Sequence, residues 1–177
     1  MLTRERILTL FGELNDELCR SGIRGDIFVV GGAAMAIAYQ ARPATRDVDA
    51  IWEPSTEIRA AAGRIAHRHD DLDDDWLNDG VRSFLPGRDS QPQVVYENDC
   101  LTVSAASPAY LLAMKLLASR VSRDEDDILL LYDLCGLTTV DEGLDLVGRY
   151  FPGRPIEAKV QFYLEELLAR RTPEPPR

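Results

Sequence analysis

The segment from Phe28 to Trp52, FVVGGAAMAIAYQARPATRDVDAIW, constrains the chain more than any other. Ile27 to Val30 is a β-branched and aromatic run bounded by turn residues, which predicts a buried strand. Gly31 and Gly32 end it abruptly. Ala33 to Tyr39 follows, with helix formers and small residues that allow close packing on a sheet, until Arg42-Pro43 breaks the pattern. Asp47 to Trp52 predicts a second strand. Strand, glycine corner, short helix and strand in such quick succession commit the chain to a small sheet covered by helices.

The same segment carries three chemical devices. At Gly31-Gly32 the missing Cβ atoms let the backbone turn sharply and approach a ligand, and the following helix start offers N–H groups to an anion such as phosphate. Asp47 and Asp49 alternate with Val48 and Ala50, so on a strand both carboxylates face one side, about 7 Å apart along the backbone. Two such carboxylates suit a pair of divalent cations roughly 3.5–4 Å apart, the arrangement that steadies attacking and leaving oxygens in phosphoryl displacement. Arg42, Thr45 and Arg46 lie on the loop leading into the carboxylates, where they can neutralise a triphosphate. Either motif alone has a plain explanation, since Gly-Gly after a strand is commonly just a turn and D-x-D arises by chance. Together they are harder to dismiss: two ionised side chains in a strand otherwise built as core cost several kcal/mol if buried without a partner. A metal or a solvent-open cleft is therefore expected.

Elsewhere, Thr3 to Cys19 carries Ile7, Leu10, Phe11, Leu14 and Leu18 at helical spacing, and Pro54 to His69 repeats the pattern with Ile58, Ala61, Ala62 and Ile65. Asp71 to Gly80 predicts a loop with a short helical turn, anchored by Trp76 and Leu77. Val94 to Tyr96 and Leu101 to Ser104 predict a hairpin turning at Glu97-Asn98-Asp99. Helices are expected over Pro108–Val121, Asp124–Cys135, Val140–Arg149 and Ile156–Arg170, with Thr172–Arg177 as a frayed tail. The fold expected is α/β (α+β): one domain over 1–171, a mixed-sheet core over 1–106 and a helical part over 107–171. His67 and His69 lack a third metal ligand and read as surface, and Asp71–Asp75 lacks the glycine and closing glutamate of a calcium loop.

No stretch reaches the roughly 18 apolar residues of a membrane span, and the N-terminal segment lacks the features of a signal peptide, so cytoplasm is the expectation. Cys19, Cys100 and Cys135 are odd in number, widely spaced and without C-x-x-C, which fits reduced buried thiols. The net charge of −10 argues against broad adhesion to nucleic acid, which depends on Lys and Arg neutralising phosphates. A local basic pocket around Arg42, Arg46, Lys115, Arg120 and Arg123 remains compatible with it.

The pattern GG…R-x-x-T-x-D-x-D resembles the nucleotide-binding signature of the polymerase-β-like nucleotidyltransferase superfamily. Phe28–Trp52 together with SPAYLLAMKLLASRVSRDEDDILLL (Ser107–Leu131) is similar to the AbiEii-like or MenT-like toxin branch of toxin–antitoxin systems. The resemblance implies magnesium (manganese as a substitute), a nucleoside triphosphate substrate, the 3′ end of tRNA as acceptor, and a cognate antitoxin as partner. It also implies that a Lys on the first helix after the sheet and an Asp on the next join the site, here Lys115 and Asp127.

Those two residues also stand out on their own terms. Ser107-Pro108 is a sound helix start, and Lys115 is surrounded by Leu111, Leu112, Met114, Leu116 and Leu117, so its ammonium needs an anion or a solvent pocket. A snorkelling lysine is the plain alternative. Ser122–Glu125 reads as a capping box that explains Asp124 and Glu125 structurally. Asp127 shares its face with Leu131 and Leu134 and points to the core, whereas Asp126 points to water; its plain role is an ion pair with Lys115 or Arg120. Many superfamily members carry a third carboxylate on an adjacent strand, for which only Glu97 and Asp99 offer themselves here, leaving Asp127 as the available general base. Two competing functions stand beside transfer to tRNA: adenylylation of a small molecule or protein, and nucleotide or partner binding without turnover.

Overall fold

The computed structural model describes residues 1–118 and 124–171, grouped into two compact units, one of 1–85 with 90–107 and one of 86–89 with 108 onward. The first unit runs β1 (Leu2–Thr3), α1 (Arg4–Arg20), β2 (Gly25–Val29), α2 (Gly31–Ile37), β3 (Ala44–Thr45), β4 (Val48–Glu53), α3 (Ser55–Ala66), β5 (Leu77–Asn78), β6 (Gln93–Asn98) and β7 (Leu101–Ala105). Five strands form a mixed sheet in the order β5-β4-β2-β7-β6. β2 runs antiparallel to β4 and parallel to β7, β5 is parallel to β4, and β6 is antiparallel to β7. The fold is thus α/β with a mixed sheet.

Alternation along the strands separates the two faces of this sheet. Ile27, Val29, Val48, Ala50, Trp52, Leu101, Val103 and Ala105 are all buried. Their face is covered by α1 and α3, which pack against each other as well. α1 contributes Ile7, Leu10, Phe11, Leu14 and Leu18, each burial stabilising by about 1.5–3 kcal/mol. Thr3 caps this helix by accepting a hydrogen bond from the Arg6 N–H at 3.2 Å. On the other face Phe28, Asp49, Ile51, Thr102 and Ser104 are half-buried, and Asp26 and Glu53 are exposed.

Three expectations need correction. Part of the acidic loop is an edge strand: Leu77 and Asn78 pair with Val48 and Asn78's neighbour Asp49 in parallel, and the Val48 N–H donates to the Trp76 carbonyl at 2.6 Å. The hairpin turn is shorter than expected, because β6 continues through Glu97 and Asn98, leaving Asp99 and Cys100 as its tip. Finally, Cys19 and Cys100 form a disulfide across 81 residues, leaving Cys135 as the free thiol. The end of α1 and the hairpin tip meet because Asn15 Oδ1 accepts from the Cys100 N–H at 3.0 Å and the Cys100 carbonyl accepts from Gly25 N–H at 2.9 Å. Cys19 and Cys100 are thus paired, against the expectation of reduced thiols.

The second unit holds α4 (Pro108–Ala118), α5 (Glu125–Cys135), α6 (Val140–Tyr150) and α7 (Ala158–Arg171). Gly136 ends α5 with φ +66°, a conformation that suits glycine, and Thr139 with Glu142 closes a capping box on α6. Tyr132 packs its fully buried ring onto Gly143, where a Cβ would collide with the hydroxyl. Arg120, Val121, Ser122, Arg123 and the tail from 172 lie outside the described residues, and with them the Ser122 half of the expected capping box and the Arg120 pairing. Among the described residues no helix is long and apolar enough to cross a membrane.

Candidate active site

The glycine corner closes around the carboxylate strand. Gly31 has φ +62°, and a Cβ placed there would stand 3.1 Å from Asp49 Oδ2. At Gly32 a Cβ would stand 2.9 Å from Thr45 Oγ1 and 3.9 Å from Arg42 Nη1. The two glycines therefore do different work: Gly31 supplies a left-handed turn and leaves room beside Asp49, and Gly32 leaves room for Thr45. Asp49 is tied to the corner through its carbonyl, which accepts from the Val30 N–H at 2.9 Å. Thr45 is held by a second, two-stranded pairing in which Leu2 lies opposite Thr45 and Thr3 opposite Ala44. Gly31, Gly32, Arg42, Thr45 and Asp49 are thus brought together within one unit, while Arg46 is exposed on the same loop. α2 is only seven residues long, so its dipole adds little at the corner.

Asp47 immediately precedes β4. Asp47 and Asp49 are both half-buried while Val48 and Ala50 are wholly buried, so the two acids lie on the side away from the helices. The register sets Asn78 level with Asp49, and its side-chain amide donates to Asp47 Oδ2 at 3.4 Å. The Gly80 N–H donates to Asn78 Oδ1 at 3.2 Å, which fixes which end of the amide faces the carboxylate. Asn78 was missed in the sequence because a two-residue edge strand within an acidic loop has no periodicity to read. Glu97 and Asp99, the only sequence candidates for a third carboxylate, lie at the opposite end of the sheet, since Leu101 pairs with Gly25 and Ala105 with Val29 near the corner.

In the helical unit, Lys115 Nζ reaches Asp127 Oδ2 at 2.7 Å and Asp124 Oδ1 at 2.9 Å, with side chains only 10%, 3% and 12% exposed respectively. Asp124, which the capping-box reading treated as part of the helix start, precedes α5 without a capping hydrogen bond from its side chain and shares the lysine. Asp126 is exposed and Asp127 buried, as the helical spacing anticipated. Glu125 takes Arg170 at 3.2 Å.

A family model described as a nucleotidyltransferase of unknown function (DUF6036) matches residues 5–142. The chain belongs to this family. It is therefore a transferase acting on a nucleotide substrate, and the match spans the glycine corner, both strand carboxylates and the Lys115 cluster. Neither the curated proteins nor the solved structures compared with it gave a match. For a nucleotidyltransferase the donor set at the corner is suited to magnesium: hard carboxylate oxygens of Asp47 and Asp49, and beside Asp49 a space that a Cβ on Gly31 would fill. Among the described residues no three His, Cys, Asp or Glu side chains gather as a metal cage.

Proposed function

We propose that the nucleotidyltransferase moves a nucleoside monophosphate from a nucleoside triphosphate to an acceptor hydroxyl, with Asp47 and Asp49 holding magnesium. The single observation that carries this reading is the close fit of Gly31 against Asp49 and of Gly32 against Thr45 and Arg42, which gathers a carboxylate, a hydroxyl and a guanidinium around a side-chain-free stretch of backbone. Bound magnesium would neutralise charge on the phosphates and act as a Lewis acid at the α-phosphorus. The acceptor oxygen bonds to the α-phosphorus as the bond to the bridging oxygen breaks, and pyrophosphate leaves with that electron pair. Backbone N–H groups at Gly31 and Gly32, the Thr45 hydroxyl and Arg42 hold the triphosphate, and Arg46 lies at the entrance. Asn78 steadies the Asp47 carboxylate through its oriented amide. By the family resemblance Lys115, which Asp127 positions, would add positive charge for the triphosphate in the transition state. At 3% exposure, Asp127 is better placed to orient Lys115 than to collect the hydroxyl proton, which leaves to solvent or to a strand carboxylate.

Resemblance to the toxin branch supports the 3′ end of tRNA as acceptor and a cognate antitoxin as restraint. A second reading, transfer to a small molecule, is favoured by one observation: the groove on the sheet face beyond the corner carries Asp26 and Glu53 against a single basic residue, Arg82. The test incubates the protein with each α-labelled triphosphate, magnesium, and either total tRNA or a small-molecule pool. Label in RNA supports the toxin reading and label in small molecules the second. Absence of any labelled product, together with an Asp49→Ala variant that binds Mg·NTP as wild type does, would remove the enzymatic reading.

A further inference from the structure

β5 gives the sheet only Leu77 and Asn78, yet one of these two meets both strand acids. In the β4–β5 register Val48 pairs with Leu77 and Asp49 with Asn78. Val48 and Leu77 are buried, so the half-buried Asp49 and Asn78 share the opposite side of the sheet, about 4.8 Å apart across the strands. The same side chain reaches along to Asp47, whose Oδ2 accepts from Asn78 Nδ2 at 3.4 Å.

The chemistry of that side chain is fixed by its surroundings. Asn78 Oδ1 accepts from the Gly80 N–H at 3.2 Å, so the amide N–H is the group turned to the acids. Reversing the amide would set its oxygen against a carboxylate and forfeit the Gly80 bond. The next acid in the chain, Asp79, is committed elsewhere, to Arg59 at 2.9 Å and Arg82 at 3.6 Å. β5 therefore offers the acids a donor without charge. That donor occupies one of about four lone-pair positions on the Asp47 carboxylate and leaves the others to a cation. It also adds nothing to the site's negative charge, and affinity for a hard cation climbs with the number of charged oxygens around it. A cation held by the Asp47–Asp49 pair must then draw further oxygens from water or from phosphate.

We propose that Asn78 is the residue that makes metal binding depend on the nucleotide: it braces Asp47 while withholding a third charge, so the pair takes its divalent cation together with the triphosphate. This rests on the nucleotidyl-transfer reading and assigns the order in which that site fills. Asn78 is a positioning residue, acting through Asp47.

Mn²⁺ is titrated calorimetrically into the full chain without nucleotide, for wild type, Asn78→Asp, Asn78→Ala and the exchange Asp47→Asn/Asn78→Asp. Wild type should bind it no tighter than about 0.1 mM, and Asn78→Asp about tenfold more tightly than wild type. The Asp substitution keeps an acceptor oxygen for the Gly80 N–H, so added charge is separated from a lost turn. Asn78→Ala should gain nothing, and the exchange, with two acids again, should return to within about threefold of wild type. Equal Mn²⁺ affinity in Asn78→Asp and wild type, a gain that survives the exchange, or micromolar binding by wild type overturns the proposal. A second measurement needs no variant. The magnesium complexes of α,β-methylene triphosphates of the four bases should bind wild type at least about tenfold more tightly than the metal-free nucleotides, and equal affinities overturn the proposal. Parallel incubation with α-labelled triphosphates, magnesium and total tRNA or a small-molecule pool separates this role from the reaction. The Asn78→Asp gain with no labelled product from any acceptor keeps the role and refutes nucleotidyl transfer, whereas labelled product without that gain keeps the reaction and refutes the role.

Discussion

Replacing Gly31 by alanine probes the corner at its tightest point. The native φ of +62° lies in the left-handed region, where a side chain costs about 1–2 kcal/mol. The added Cβ also meets Asp49 Oδ2 at 3.1 Å, closer than ordinary van der Waals contact, so the carboxylate must yield by a few tenths of an ångström. The stability loss corresponds to roughly 2–8 °C in Tm for a chain of this size. Because a displacement near 1 Å in a reacting group costs on the order of a hundredfold, a shift of this smaller size should weaken Mg·NTP binding and slow transfer by roughly tenfold. The companion variant is Gly63→Ala, inside α3, where a Cβ meets nothing within 4 Å. It should stabilise by about 0.5–1 kcal/mol and leave nucleotide binding alone. Thermal melting and calorimetry with Mg·NTP read both variants. If Gly31→Ala melts and binds like wild type while Gly63→Ala behaves as stated, the corner does not shape the site.

Lys115→Met removes the shared counter-charge of two largely buried carboxylates and should cost about 3–5 kcal/mol, seen as a fall in Tm that Asp127→Asn in the same chain partly restores. Reduction of Cys19–Cys100, or its replacement by two serines, should lower stability by up to about 4–5 kcal/mol given the length of chain it closes, measured by melting with and without reductant. The Glu17 carboxyl, 10% exposed, is held down to about 2 from 4.5, chiefly by the hydrogen bond from Arg64 and then by that from Arg68. Its contribution is present above pH about 4.5 and lost as pH falls toward 2. It amounts to at most about 3 kcal/mol, reduced by screening of the half-exposed guanidiniums, and Glu17→Gln should flatten acid unfolding over that window.

Features carried by local pattern were legible in the sequence. α1 was legible from Ile7, Leu10, Phe11, Leu14 and Leu18, and β2 and β4 from their alternation around the two glycines. Asp127 facing inward and Asp126 facing water followed from helical spacing alone. What escaped notice depends on which distant segments meet. The Cys19–Cys100 bond needs the hairpin tip to reach the end of α1, and Asn78 matters only because β5 docks on β4 in a register that two residues cannot announce. A capping box over Ser122–Glu125 accounts for Asp124 by local pattern alone, whereas its buried ion pair with Lys115 depends on how α4 and α5 meet.

The net charge of −10 acquires a different meaning once the cations are located. Arg20, Arg64 and Arg68 converge on Glu17, and Arg68 and His69 on Glu13, binding α1 to α3. Arg59 and Arg82 are engaged by Asp79, and Lys115 by Asp124 and Asp127. Most of these guanidinium and ammonium groups serve packing between elements, while Arg42 and Arg46 lie on the loop beside the glycine corner. The corner therefore sets two arginines beside the two strand carboxylates, Asp47 and Asp49, a site of mixed rather than purely positive charge. A triphosphate carrying a divalent cation would find both of its charges matched at such a corner. The acidic excess elsewhere weakens non-specific hold on nucleic acid, so an RNA acceptor would have to be held by specific contacts rather than by general charge.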